Sequence, residues 1–286
     1  MTWTEASVGD RSEMYLDCLR RCFKQTTSAK GTTDFRSRQT TCERIMMWGP
    51  RESCRYDCMW KSVESFQQRG LPIPQYHGKW PFVKICGIQE PASTLFSIAN
   101  GASNALGLLH FHLKTPWSFP LTAAWTALGV VAMNAWFWST LFHARDTDFT
   151  EKMDYFCAFS LVMFMFFSLF LRFVLLNIFK TRTLFCIGFL CAAVFCRHVY
   201  HMAFVHFDYG YNMKVNILFG VLNSVSWLAW CVVQRQSHTW KAAVVVLASN
   251  ALILLEVLDF PPLFWTLDAH ALWHAGTSPL PLLWFR

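Results

Sequence analysis

Charge is what this 286-residue sequence has least of. Asp, Glu, Lys and Arg make up 15% of it, where a soluble domain carries about 25%. Disordered chains need more charge, and collagen-like chains need far more glycine and proline than the 13 Gly and 11 Pro present, so both classes are excluded. No basic block of the kind that tracks nucleic acid occurs. There is no N-x-S/T acceptor for N-glycosylation, and the opening MTWTEASVGD has no apolar stretch of the kind a secretory leader carries. What is abundant is apolar: 54% of residues are hydrophobic, with 27 Phe and 14 Trp. The class that remains is a polytopic, all-α membrane protein.

The charge divides the chain. Residues 1–90 hold 14 Lys/Arg and 10 Asp/Glu, more than half of all charges in under a third of the length. Two domains follow, at 1–90 and 91–286. The second offers seven stretches that approach the ~20 apolar residues a bilayer span needs. They run from Pro91 to His110, Ser118 to Phe142, Asp154 to Phe179, Thr183 to Phe204, Val215 to Val233, Trp240 to Leu258 and Phe264 to Phe285. The first is rich in Ala, Ser, Asn and Gly, which suits a helix packed against neighbours rather than lipid.

Orientation follows from short-loop Lys/Arg bias. The loops after spans 1, 3 and 5 carry Lys114, Lys180, Arg182, Arg235 and Lys241, whereas the opposite loops carry Arg145 and Lys152. The first set is therefore expected in the cytosol, and residues 1–90 in the lumen. Without an apolar leader, the first span acting as a reverse anchor is one route to that placement, and a signal removed or replaced in this form is the other. Five of the 11 cysteines fall between residues 18 and 58. Cys18 and Cys22, and Cys54 and Cys58, have the CxxxC spacing that puts both sulfurs on one helix face. A disulfide-stapled luminal domain is expected, because a small polar segment has little core of its own. A zinc site is the competing reading, although CxxxC is not the usual CxxC spacing.

Ionisable groups inside spans are costly and mark function by default. Two stretches carry them: NAWFWSTLFHARDTDFTEKMDYF (134–156) and LLEVLDFPPLFWTLDAHALWH (254–274). Ser139 and His143 are i and i+4 at the luminal end of span 2, Asp154 opens span 3, and His270 and His274 are again i and i+4 near the start of span 7. The i,i+4 spacing places each pair on one face, and two His so placed are the usual way for a helix to offer two imidazoles to a metal. Three imidazoles at one depth describe a zinc site with an open position, as hydrolysis requires. Glu256, Asp259 and Asp268 are close enough in sequence to orient those rings; Glu256 and Asp259 read equally well as span-end charges. The histidines of HVYHMAFVH (His198, His201, His206) are spread by their i, i+3, i+8 spacing and face no partner motif.

These segments, with QYHGKWPF, QEPAS and FDYGYNMKVN, resemble the post-GPI-attachment-to-proteins factor 3 family of GPI-anchor remodelling phospholipases, from about Tyr15 to His274. The resemblance implies a seven-span hydrolase fold and places the superfamily pattern S-x-x-x-H, Asp, H-x-x-x-H on Ser139, His143, Asp154, His270 and His274. It implies zinc on the three histidines. It also implies removal of the sn-2 acyl chain from GPI-anchored proteins in the Golgi membrane, the endoplasmic reticulum being the alternative site. Members show two clusters of three Cys at four-residue spacing; here Thr26 and Pro50 stand where the third of the first cluster and the first of the second would be.

Two rival readings use the same residues. In one, Ser139 is the nucleophile, His143 its base and Asp154 the orienting acid, which leaves His270 and His274 without a role. In the other the chain is a receptor or scaffold, and a structural zinc takes four protein ligands with Asp154 as the fourth.

Overall fold

The computed structural model describes residues 7–175 and 180–286. The first six residues and the tail of the third expected span, 176–179, lie outside them. Among the described residues there is no β-strand, only isolated bridges such as Tyr76 with Lys79. The chain forms two compact units, Met1–Ala92 with Asp259–Asp268, and Ser93–Leu258 with Ala269–Arg286.

The first unit is built from α1 (Val8–Arg11), α2 (Glu13–Thr26), α3 (Ala29–Arg38), α4 (Thr41–Ile45) and α5 (Pro50–Gln68). Pro50 opens α5, where its missing N–H costs nothing. The two CxxxC motifs pair as nested disulfides, Cys18–Cys58 and Cys22–Cys54, with Cα atoms 5.6 and 5.8 Å apart. Nesting with equal four-residue steps requires α2 and α5 to run antiparallel. The core beside them is small: Tyr15, Val63 and Tyr76 around Cys58. The Tyr15 hydroxyl meets His77 Nε2 at 2.8 Å, and burial followed by the nearby Asp10 charge pushes its pKa well up.

The segment Asp259–Asp268 belongs to this unit, although charge alone assigns it to the second domain. The Asp259 carboxylate accepts from Trp80 Nε1 at 2.7 Å and Gln75 Nε2 at 3.1 Å. Trp265 packs edge-on against Trp60, with ring centroids 5.1 Å apart, and its carbonyl accepts from the Val83 N–H.

The second unit contains α6 (Pro91–Lys114), α7 (Thr122–Ala144), α8 (Asp148–Leu175), α9 (Thr181–Tyr200) continued by a π turn over His201–Val205, α10 (Tyr209–Gln234), α11 (Thr239–Leu258), α12 (Ala269–Thr277) and α13 (Leu280–Trp284). Four of these, α8, α9 with its π turn, α10 and α11, are long and apolar enough to cross a membrane. The chain is a membrane protein. Helices α6, α7 and α12 with α13 stand at the other three expected spans but are more polar or shorter. Helix α6 buries Ser93, Thr94, Ser97, Asn100, Ser103 and Asn104, which lowers its hydropathy and allows close packing.

The expected continuous span from Phe264 to Phe285 is corrected by the structure. Phe264 and Trp265 take positive φ in a turn, and the helix begins only at Ala269. It breaks again at Pro279, whose ring supplies no N–H and disfavours helix in the preceding residue.

Tryptophans dominate the core of this unit. Trp125, Trp227 and Trp230 pack with Leu128, Leu169 and Val246. The Arg172 guanidinium lies 4.8 Å from the Trp125 ring centroid and 4.6 Å from that of Trp230, so cation–π attraction helps to accommodate this charge. Gly276 sets the approach of α12 to α11, since a Cβ there would come within 2.3 Å of the Leu252 side chain.

Candidate metal centre

His143 sits in the last turn of α7, and His270 and His274 on consecutive turns of α12. The three rings converge on one point. Nε2 of His143 is 3.3 Å from Nε2 of His270 and 3.2 Å from that of His274, and the latter two are 2.9 Å apart. His143 and His274 are buried; His270 is half-buried. Among the described residues this is the group of three metal-ligating side chains whose donor atoms lie within 4.8 Å of one another. Asp154 is not a member of it.

The donor set fits a divalent ion. Three nitrogens bound tetrahedrally to zinc at roughly 2.0–2.1 Å stand about 3.3–3.4 Å apart, close to the three separations found. Protein hydrogen bonding alone does not account for the convergence, because an Nε2–H can be directed at only one of the two facing nitrogens. The tautomer of one ring is set from outside. His270 Nδ1 lies 2.8 Å from the Glu256 carboxylate, so Nδ1 carries the proton and Nε2 turns its lone pair inward, the usual arrangement behind a metal-bound imidazole. His274 Nδ1 is buried without a hydrogen-bond partner.

Neighbouring helices hold this geometry. Asn100 of α6 donates through Nδ2 to the His274 carbonyl at 2.8 Å. Ser139, one turn before His143 and buried, has its Oγ 3.0 Å from the Ser97 Oγ. Trp273 stacks on His270 with centroids 5.7 Å apart, and Trp136 meets His274 edge-on at 5.3 Å. The walls of the site are therefore aromatic and its polar groups few, as in most small-molecule sites.

Of the residues singled out from sequence, His143, His270 and His274 come together, with Ser139 on the next turn of α7. Asp154 is half-buried near the start of α8. Of the two acids at the end of α11, Glu256 takes the orienting place. Asp259, expected as an alternative, is corrected: its carboxylate is engaged by Gln75 and Trp80 in the first unit. Asp268 is buried at the end of that unit's returning segment. The cysteines Cys18, Cys22, Cys54 and Cys58 are all disulfide-bonded. His198 and His201 pack against Tyr211 at 5.3 and 4.5 Å and behave as aromatic surfaces.

Sequence reasoning misses Ser97 and Asn100 as site residues. Their signal is the stripe Ser93, Ser97, Asn100, Asn104, which keeps one polar face of α6 buried, but a stripe does not say what it faces.

The chain matches the Per1-like family over residues 40–286. It is 44% identical to a mouse protein named GPI-specific phospholipase A2-like PGAP3, over 98% of this chain and 88% of that one. It is 43% identical to the human protein of the same name, over 98% and 87%. The Drosophila melanogaster protein named post-GPI attachment to proteins factor 3 is 34% identical over 98% and 88%. No solved structure matches. With that coverage on both sides, the chain belongs to the Per1-like family, alongside the post-GPI attachment to proteins factor 3 proteins.

Proposed function

We propose that this protein is a zinc-dependent hydrolase of the Golgi membrane that removes the sn-2 acyl chain from the lipid of GPI-anchored proteins. On this reading, α6 to α13 provide seven spans and the disulfide-bonded unit faces the lumen. The observation that carries the reading is the convergence of three Nε2 atoms at 2.9–3.3 Å, with a carboxylate behind one of them. The names of the relatives supply the substrate class.

His143, His270 and His274 would hold the ion. When bound, zinc there supplies Lewis acidity, which polarises an ester carbonyl and makes water acidic enough to react near neutral pH. The remaining work falls to the chain's own side chains. Glu256 fixes the direction of the His270 ring by accepting from its Nδ1–H. Asp154 takes a proton from the attacking water, a role that contributes about 10²–10⁴ in rate. Ser139 donates to the oxyanion as the ester carbon becomes tetrahedral, worth about 3 kcal/mol, and the Ser97 hydroxyl beside it restricts its rotamer. Trp136 and Trp273 exclude bulk water and offer an apolar wall to the acyl chain.

The serine-nucleophile reading has less support. Ser139 lies within a regular helix with no strained elbow to present its Oγ, and its Oγ is paired with that of Ser97. The two chemistries separate cleanly in one experiment on purified protein with a defined GPI lipid. Zinc chelation is expected to abolish deacylation, and a fluorophosphonate to leave Ser139 unlabelled. Labelling of Ser139 with activity intact in chelator would establish the serine mechanism instead. The scaffold reading gains if neither purified protein nor cells carrying it deacylate GPI lipids while zinc is retained.

A further inference from the structure

Two cysteines of the first unit stand outside its disulfides: Cys42, half-buried on α4, and Cys86, exposed. Cys86 occupies a tight turn closed in both directions, Ile85 N–H to Ile88 O at 3.2 Å and Ile88 N–H to Ile85 O at 2.9 Å. The turn requires positive φ at two successive residues, 50° at Cys86 and 78° at Gly87. Glycine, Asn and Asp take such positions readily; a cysteine does not. Something other than turn propensity must favour it here.

The surroundings of the turn supply the reason. Lys84 donates to the Glu43 carboxylate at 2.7 Å and lies 4.6 and 4.5 Å from the centroids of Trp48 and Tyr56. Trp48 Nε1 donates to the Gly87 carbonyl at 2.7 Å. A Cβ at Gly87 would stand 3.3 Å from the Cys42 carbonyl oxygen. Contacts on both sides of Cys86 thus press the turn onto α4, whose start is set by the Thr40–Glu43 capping box. The neighbouring Cys86 thiol is the main cause that raises the pKa of the Cys42 thiol.

We propose that Cys42 and Cys86 form a third disulfide, which ties α4 to the turn that follows α5. The two bridges already formed join α2 to α5 and leave α3 and α4 held by non-covalent contacts alone. Formation needs a two-electron acceptor, here the disulfide of a thiol–disulfide exchange catalyst in an oxidising compartment. Exposed Cys86 attacks it as thiolate, releases one catalyst thiol and forms a mixed disulfide. Cys42 then loses its proton, attacks the Cys86 sulfur and releases the second catalyst thiol. Two protons and two electrons leave the pair, and the catalyst's disulfide becomes a dithiol. Cys42, the less exposed of the two, is suited to the second, resolving step.

This inference rests on the luminal placement proposed above, and one experiment separates the two. Cells expressing the full chain are treated with maleimide before lysis, and the protein is digested without reductant for peptide mapping by mass spectrometry. The expected result is a cross-linked pair of peptides containing Cys42 and Cys86, beside Cys18–Cys58 and Cys22–Cys54. In Cys42→Ser the cross-link is lost and Cys86 becomes maleimide-reactive; in Cys86→Ser the converse holds. Maleimide on both Cys42 and Cys86 with the other two bridges intact overturns the third disulfide while leaving the compartment as proposed. Maleimide on all six cysteines overturns both. The wild-type map alone decides the matter if either variant fails to fold.

Discussion

The two units solve the same problem in different solvents. The first has many charges and a small core, and it is held by cross-links and ion pairs: two nested disulfides, Lys84 on Glu43 and Lys79 on Glu90. The second has few charges, and its polar side chains connect helices directly: Asn100 to the His274 carbonyl, Asn223 to the Val162 carbonyl at 3.0 Å, Asn250 to Ser224 at 2.9 Å. Where apolar surface gains nothing by leaving lipid, side-chain hydrogen bonds and small residues take over the work that cores and staples do in water. A reductant should therefore destabilise the first unit, whereas a chelator should stop the chemistry of the second without unfolding it.

The sharpest break of that contrast is His274→Ala or His143→Ala. Either is expected to abolish GPI-lipid deacylation and zinc binding while peptide mapping still finds both disulfides, because no ligand comes from the stapled unit. Degradation of both variants before they leave the endoplasmic reticulum would instead give the ion a structural role. Next in size is the reverse experiment. Replacing Cys18 and Cys58 together by Ser should cost the first unit about 2–5 kcal/mol, read as an earlier unfolding transition or faster proteolysis there, with zinc content per surviving molecule unchanged. A smaller effect is expected of Glu256→Gln, which keeps the size of the side chain but removes the charge behind His270. Zinc affinity should fall about 10–100-fold in a metal-buffer titration, and an unchanged affinity would show that the contact does not orient the ring.

The smallest effect is a pH dependence confined to the first unit. The hydrogen bond from Lys84 holds the Glu43 carboxyl below the ordinary value near 4.5. Its contribution is thus fully present above that value and is lost as pH falls through the lower, folded value. Burial acts oppositely on Asp57, whose pKa is raised, so protonating it favours the folded form. The difference between wild type and Glu43→Gln isolates the first group. It should amount to about 0.5 kcal/mol near neutral pH, as for other partly exposed pairs, and vanish in acid.

Periodicity alone makes much of this legible. His143, His270 and His274 stand out because imidazoles at i,i+4 spacing in an apolar helix are costly unless they bind something, and the CxxxC pairs because four-residue steps put both sulfurs on one helix face; which Cys joins which is not legible. The choice between Glu256 and Asp259 is not legible. Three residues apart, they are separated by the end of α11 and by a positive φ of 32° at Asp259, which directs the second acid away. Residues 264–268 read as the start of a span because Phe264, Trp265 and Leu267 are apolar; the turn there and the packing of Trp265 on Trp60 are tertiary facts. Ser97 and Asn100 announce close packing by their size and spacing, but the partners across the interface lie 42 and 174 residues away in sequence.

The central claim is that three imidazoles from α7 and α12 hold one catalytic zinc. Elemental analysis of the purified protein, paired with deacylation of a defined GPI lipid, tests it most directly. One zinc per chain, lost together with activity in His143→Ala and His274→Ala, is the expected result. Full activity in metal-free protein, or full zinc occupancy in those variants, would contradict it.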